Sequence, residues 1–136
     1  MRLLFHIGLV GLGSACGGLL RWGVGTAAAR LLGSALPYGT FAINLTGSLF
    51  LGWFSTVLAE RLLLSEHPWL RPDDLRLMVA VGFTGAYTTF STFEWEAYGL
   101  FRDGEGFAGT LYLAMSVFLG LLAVHFGVVL GRASSL

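Results

Sequence analysis

The chain alternates long apolar stretches with short polar ones, and the long stretches predict its architecture. Four of them contain no Asp, Glu, Lys or Arg: Leu3–Leu20, Leu31–Ala59, Leu77–Phe93 and Gly106–Gly131. About 20 apolar residues suffice to cross a hydrocarbon core about 30 Å thick. We therefore predict an all-α membrane protein with a single transmembrane domain over residues 1–136. Its four transmembrane helices are expected over about residues 3–32, 37–64, 75–100 and 105–132.

The connections between these spans are predicted to be short. They are expected near Gly33–Pro37, Leu64–Asp74 and Arg102–Glu105, where glycine, proline or charged residues interrupt the apolar pattern. Asp73 or Asp74 is expected to cap the third helix.

Composition agrees with a lipid environment and excludes several functions. Hydrophobic residues make up 55% of the 136 residues and charged residues only 12%, against about 25% charged in ordinary globular domains. The net charge is zero, so there is no basic field for nucleic acid. We find no nucleophile–base set or cluster of metal ligands, and therefore expect no enzymatic activity.

The first span combines close packing with an embedded charge. Gly13 and Gly17 form a Gly-xxx-Gly pair, which lets helix backbones approach each other in a membrane. Arg21 lies well inside the predicted helix. It either faces an aqueous vestibule or extends its side chain to a lipid headgroup.

The second span carries a polar stripe. Thr40, Asn44 and Ser48 are four residues apart and share one helix face. Asn in a bilayer commonly hydrogen-bonds a neighbouring helix. The stripe is therefore either interhelical contact or part of a polar path.

The third span is predicted to be broken near its centre. Its middle, Gly82–Phe93, is rich in glycine and threonine, which are poor helix formers. We expect a break near Gly85–Thr88, either as a simple glycine kink or as an interruption whose freed carbonyls could bind a hard cation such as Na⁺.

Aromatic and hydroxyl residues near the break could contact an ion. Phe90 and Phe93 share a face just after it; they either face lipid or turn their electropositive ring edges to an anion. In the fourth span, Tyr112 and Ser116 lie on one face.

Three motifs resemble signatures of the Fluc family of fluoride channels. They are GGLLRW over Gly17–Trp22, the Gly-Thr, Asn and Gly positions within Gly39–Gly47, and GFTGAYTTFSTF over Gly82–Phe93. The resemblance covers essentially the whole chain in span number and motif order. It implies a channel in a microbial plasma (inner) membrane that lets fluoride leave the cell passively. It also implies an antiparallel, dual-topology homodimer with two pores and a structural Na⁺ on its two-fold axis.

The resemblance also implies roles for individual residues. Asn44 would be a hydrogen-bond donor in the pore, and Phe90 and Phe93 would line the ion path. The backbone carbonyls of Gly85 and Thr88 from both subunits would bind Na⁺.

Further polar residues would follow from the same resemblance. Thr40, Tyr112 and Ser116 would continue the polar track, and Glu96 matches a family acid. Glu94 has no counterpart, and Ala86–Tyr87 departs from the smaller or aliphatic residues that are usual in the turn.

Two other functions remain open on the sequence. A small dual-topology coupled exporter would need a titratable carboxylate within a span, for which Glu94 and Glu96 are the candidates. A non-transporting subunit of a membrane assembly would show similar glycine-rich faces, but it gives no reason for the break.

The arginines bear on the orientation in the membrane. If the termini and the second connection share a side, that side holds five of them, Arg2, Arg61, Arg71, Arg76 and Arg132. Arg30 and Arg102 lie opposite, and the bias favours cytoplasmic termini. Because an antiparallel homodimer needs both orientations, an oppositely oriented paralogue is the alternative partner.

Overall fold

The computed structural model describes residues 2–33, 35–62 and 71–134, and these residues are almost entirely helical. The α-helices are α1 (Arg2–Leu32), α2 (Tyr38–Val57), α3 (Pro72–Leu75), α4 (Gly85–Tyr87), α5 (Phe90–Arg102) and α6 (Gly106–Ala133). Two π-helical stretches, Leu58–Leu62 and Arg76–Thr84, extend α2 and link α3 to α4. Most of the predicted connection Leu64–Asp74 lies outside the described residues.

Three helical segments are long and apolar enough to cross a membrane: Arg2–Leu32, Tyr38–Glu60 and Gly106–Ala133. The predicted third span is built from α3, the π-helical stretch, α4 and α5. The all-helical, multi-pass prediction is therefore confirmed. The dimer and its dual topology stay predictions.

Backbone contact holds α1 against the π-helical stretch. A Cβ added to Gly17 would overlap the carbonyl oxygen of Phe83, and one added to Gly13 would overlap that of Met78. From the other side, a Cβ on Gly82 would lie 2.7 Å from the carbonyl oxygen of Val10. Glycine is needed at these positions because the two backbones leave no room for a side chain.

A second close pair is formed by α2 and α6. A Cβ on Gly52 would overlap the carbonyl oxygen of Val124, and one on Gly127 would overlap that of Leu49. The two pairs of helices meet around residues buried at the centre, and this centre is partly polar. Its apolar members include Ile43, Tyr87, Phe93, Ala97 and Tyr112, and its polar members include Thr40, Thr84 and Thr89.

Large apolar side chains cover the outside of the chain. Trp22, Leu31 and Phe107 are each more than 70% exposed. Such a surface is suited to lipid rather than to water.

Asp74 connects the start of the third span to the start of α1. Its Oδ2 accepts a hydrogen bond from the backbone N–H of Arg71 at 3.1 Å, as the acidic residue of a capping box does. Its Oδ1 lies 3.1 Å from Nε2 of His6. Of the two predicted caps, Asp74 is therefore the one that bonds the N-terminal backbone.

We predict that Gly17→Ala destabilises the protein by about 1–3 kcal/mol, because the new methyl group must push α1 away from the Phe83 carbonyl. Gly18→Ala is the matched control, since a Cβ there meets nothing within 4 Å. It should be neutral or stabilise the helix by up to about 1 kcal/mol. Unfolding in detergent micelles measures both changes, and equal stability of the two variants would contradict the packing described.

Candidate functional site

The third span is interrupted by two threonines. Thr88 (φ −79°, ψ 160°) and Thr89 (φ −150°, ψ 116°) are extended, between the end of α4 and the start of α5. Gly85 has helical angles, φ −63° and ψ −33°. The break lies at the end of the predicted segment Gly85–Thr88 and is not a glycine kink; β-branched residues such as Thr favour extended backbone.

The side chain of Asn44 holds the broken backbone. Its Nδ2 donates to the carbonyl oxygen of Thr89 at 3.0 Å, and its Oδ1 accepts from the N–H of Thr89 at 2.8 Å. These partners fix the orientation of the amide, because a backbone N–H can only donate and a carbonyl can only accept. The Asn44 side chain thus exchanges two hydrogen bonds with the backbone of Thr89, as a residue on a neighbouring antiparallel β-strand would.

The two carbonyls predicted to bind Na⁺ lose their helical partners at this break. In a continuous α-helix, the carbonyls of Gly85 and Thr88 would accept from the N–H groups of Thr89 and Thr92. The N–H of Thr89 instead donates to Asn44, and the N–H of Thr92 donates to Oγ1 of Thr89 at 3.3 Å. The capping of α5 therefore leaves both carbonyls without the donors that a continuous helix would supply.

A cavity of about 290 Å³ lies beside the break, lined by residues of α2, the third span and α6. Asn44, Ser48, Phe90, Phe93 and Ser116 all line it, and none of its described lining residues is charged. Oγ of Ser116 has no hydrogen-bond partner among the described residues. Only one of the two amide hydrogens of Asn44 is used by Thr89. The cavity therefore has neutral donors available for a guest.

The two phenylalanines occupy different environments. Phe93 is only 7% exposed and packs edge-to-face against Tyr112, with ring centroids 5.1 Å apart. Phe90 is 70% exposed, although its ring centroid is only 6.0 Å from that of Phe93. The cavity is thus closed by Phe93 on the inside and bounded by Phe90 at the surface of the chain.

The carboxylate of Glu96 is hydrogen-bonded to two of the other polar residues predicted for the site. Glu96 accepts hydrogen bonds from the hydroxyls of Thr40 at 2.8 Å and Tyr112 at 3.0 Å. Glu96, Thr40 and Arg21 line a second cavity of about 360 Å³, which shares Thr89 with the first.

Arg21 faces this second cavity rather than packing against an acid. It makes no ion pair or hydrogen bond with the part of the chain that the structure describes. It lies eleven residues, or about 16 Å, before the end of α1 at Leu32. The vestibule role of Arg21 stays a prediction.

Two contacts at the site were not predicted from the sequence. The hydroxyl of Tyr87 lies 2.9 Å from Oγ1 of Thr46, which donates its own hydrogen to the carbonyl of Ala42 at 2.7 Å, so Tyr87 is the donor. Thr89 supplies the backbone that Asn44 holds. The Thr89–Thr92 spacing is a helix-capping signal that the sequence does contain.

Comparisons with known proteins identify the family of this chain. The family model described as "CrcB-like protein, Camphor Resistance (CrcB)" matches residues 8–128. The chain belongs to the CrcB family. Relatives named "Fluoride-specific ion channel FluC" include one from Chloroflexus aurantiacus, 45% identical over 90% of this chain and 92% of the relative. One from Rhizobium etli is 43% identical over 92% and 94%, and one from Solibacter usitatus is 42% identical over 91% and 96%.

Membership of the CrcB family confirms the resemblance seen in the sequence. The relatives are named as ion channels of bacteria, which confirms that the chain is a membrane protein and not an enzyme. The roles of single residues are not tested by these names and stay predictions.

We predict that Asn44→Leu destabilises the protein by about 2–6 kcal/mol, because it leaves both the N–H and the carbonyl of buried Thr89 without a partner, at about 1–3 kcal/mol each. Ser48→Ala, one turn along α2 in the same cavity, is the control and should change stability by less than about 0.5 kcal/mol. Chemical unfolding in micelles measures the difference. If Asn44→Leu were as stable as Ser48→Ala, the amide would not be holding the break.

Proposed function

We propose that the protein is a fluoride-selective channel through which fluoride leaves the cell passively. The observation that carries the proposal is the uncharged cavity at the break, with the amide of Asn44, the unpartnered hydroxyl of Ser116 and the rings of Phe90 and Phe93 on its walls. Fluoride is small and strongly hydrated, so several weak donors must replace its water, whereas a fixed cation would hold it too firmly to conduct. The printed names of the CrcB-family relatives support the same ion.

The second cavity fits the role of a vestibule. The Arg21 side chain, which has no ion-pair partner among the described residues, would attract an anion towards the 290 Å³ cavity at the break, called the narrow cavity, without entering it. Thr40 and Tyr112 both donate to Glu96, and Thr40 lines the second cavity with it. Because the hydroxyl hydrogens of both residues are already used, they would contribute to the polar track by fixing Glu96 rather than by donating to the ion.

The pore would be completed by a second copy of the chain. Phe90, which lines the narrow cavity, and Gly85, at the break, are exposed on a single chain. A charged or polar path cannot face lipid, so a protein surface must cover this side. We propose an antiparallel homodimer with two pores; an oppositely oriented paralogue is the alternative partner.

A structural Na⁺ fits the break. The carbonyls of Gly85 and Thr88 have lost their helical donors, and two antiparallel copies would bring four such oxygens around a common axis. Hard cations take oxygen ligands of this kind. No group of three or more His, Cys, Asp or Glu that could hold a metal occurs in the described ranges, so backbone oxygens would be the ligands. The ion would supply positive potential and join the two broken helices.

A proton-coupled exporter is the second candidate, because the carboxylate of Glu96 lies in α5, within the predicted third span, and lines a cavity. Such a carboxylate could carry protons. Both of its carboxylate oxygens already accept hydrogen bonds, from the hydroxyls of Thr40 and Tyr112, which suits a fixed structural acid better than a proton carrier.

The test is ion efflux from liposomes that contain the purified protein. We expect rapid fluoride efflux without a proton gradient and no comparable chloride efflux, because chloride is larger and the narrow cavity offers only a few fixed donors. Protein-free liposomes provide the background. Chloride efflux equal to that of fluoride would contradict selectivity, and strict dependence on a proton gradient would favour the exporter.

A further inference from the structure

One face of α2 continues past the narrow cavity towards the opposite end of the helix. Asn44, Ser48, Leu51 and Ser55 recur every three or four residues and therefore share this face. Leu51 and Ser55 are exposed on the single chain. The face thus carries hydroxyls well beyond the phenylalanines, where the proposed function assigns no role.

Contiguous cavities follow the same face. The narrow cavity shares Leu51 with a cavity of about 480 Å³ between α2 and α6. That cavity shares Ser55 and Ala59 with another of about 270 Å³ between α2 and the start of the third span. Together with the Arg21 cavity, they extend along α2 from Thr40 to Ala59, about 28 Å, nearly the thickness of the hydrocarbon core.

Charged residues stand at the far end of this row. Arg76 and Asp73 line the last cavity with Ser55, and neither side chain makes an ion pair or hydrogen bond with the described residues. Glu60, at the neighbouring cavity, lies 3.6 Å from Arg132. The far end is therefore polar and carries both signs of charge, whereas the narrow cavity carries none.

We propose that the ion path continues along this face of α2 and opens at a second mouth formed by Ser55, Asp73 and Arg76. The inference rests on the proposed fluoride conduction. The 480 Å³ cavity has room for several water molecules of about 30 Å³ each, so the anion regains its hydration shell there after the narrow site. Arg76 attracts the anion to this mouth and Asp73 repels it, which sets the rate at which fluoride enters and leaves.

The charges give an experiment with opposite outcomes for two neighbouring residues. In about 0.01 M salt, where the screening length is about 30 Å, Arg76→Gln should lower fluoride efflux about threefold and Asp73→Asn should raise it about threefold. Both effects should disappear in about 1 M salt, where the screening length is about 3 Å. Arg2→Gln removes a charge from the exposed start of α1, which does not line these cavities, and should lower efflux clearly less than Arg76→Gln does.

A structural role for these side chains would give a different result. Damage to folding would lower efflux in both variants and would persist in high salt. Unchanged efflux in both variants, or a fall in both at every salt concentration, would overturn the second mouth. Because wild-type efflux is measured in the same liposomes, failure of the proposed function would show separately as a wild-type protein that does not conduct fluoride.

Access of water to Ser55 provides an independent test. In a Cys16→Ala background, which removes the exposed native thiol, Ser55→Cys should react with a charged, membrane-impermeant methanethiosulfonate and lose most of its fluoride efflux. Leu130→Cys, on an exposed face of α6 outside these cavities, should keep its efflux. Mass spectrometry reports the extent of modification. An unmodified Cys at position 55, or a modified one with full efflux, would overturn the proposal.

Discussion

The exchange of two hydrogen bonds between the Asn44 side chain and the backbone of Thr89 is the constraint on which the rest of the site depends. A helix broken within a membrane exposes polar backbone groups that lipid cannot satisfy. The Asn44 amide satisfies the two groups of Thr89, and Oγ1 of Thr89 then caps α5. Because these side-chain hydrogen bonds replace helical ones, the carbonyls of Gly85 and Thr88 lose their helical donors. Phe90 and Phe93 then lie at the start of a new helix.

The hydrogen bonds between Asn44 and Thr89 require α2 to lie close to the break. A glycine in α2 allows this close approach. A Cβ on Gly47 would overlap Cγ2 of Thr88, so a larger residue would push α2 away from the threonines. The Tyr87–Thr46 hydrogen bond fixes the last turn before the break to the same helix. The geometry of the site therefore depends on the helix packing, because the residues that let α2 approach the break also position the hydrogen-bond donors around the cavity.

The sequence predicts the helices, the break and the polar face of α2, because each depends on a local pattern. Charge-free length, the density of glycine and threonine in Gly82–Phe93, and the four-residue spacing of Thr40 and Asn44 are all visible in one chain. Contacts between distant residues were not predictable in this way. The partner of Asn44 is a backbone 45 residues away, and a side-chain pattern does not record which backbone groups lack partners.

Two further differences between the sequence predictions and the structure also arise from contacts between residues distant in the sequence. The π-helical stretch Arg76–Thr84 was not predicted, and it packs tightly against Gly13 and Gly17 of α1, a tertiary contact that local helix propensity does not record. Phe90 and Phe93 looked equivalent in sequence, yet the edge-to-face contact with Tyr112 buries only Phe93. Phe90 is 70% exposed on the single chain, and the proposed second copy would cover it.

The most direct test of the account is an experimental structure of the purified protein in Na⁺. The account predicts an antiparallel dimer in which one non-water density lies on the two-fold axis, about 2.3–2.6 Å from the carbonyl oxygens of Gly85 and Thr88 of both copies, as for similarly sized hard cations. The Asn44 amide should pair with Thr89 in each copy. A continuous helix through residues 85–92, or a parallel dimer that separates the two breaks, would contradict it.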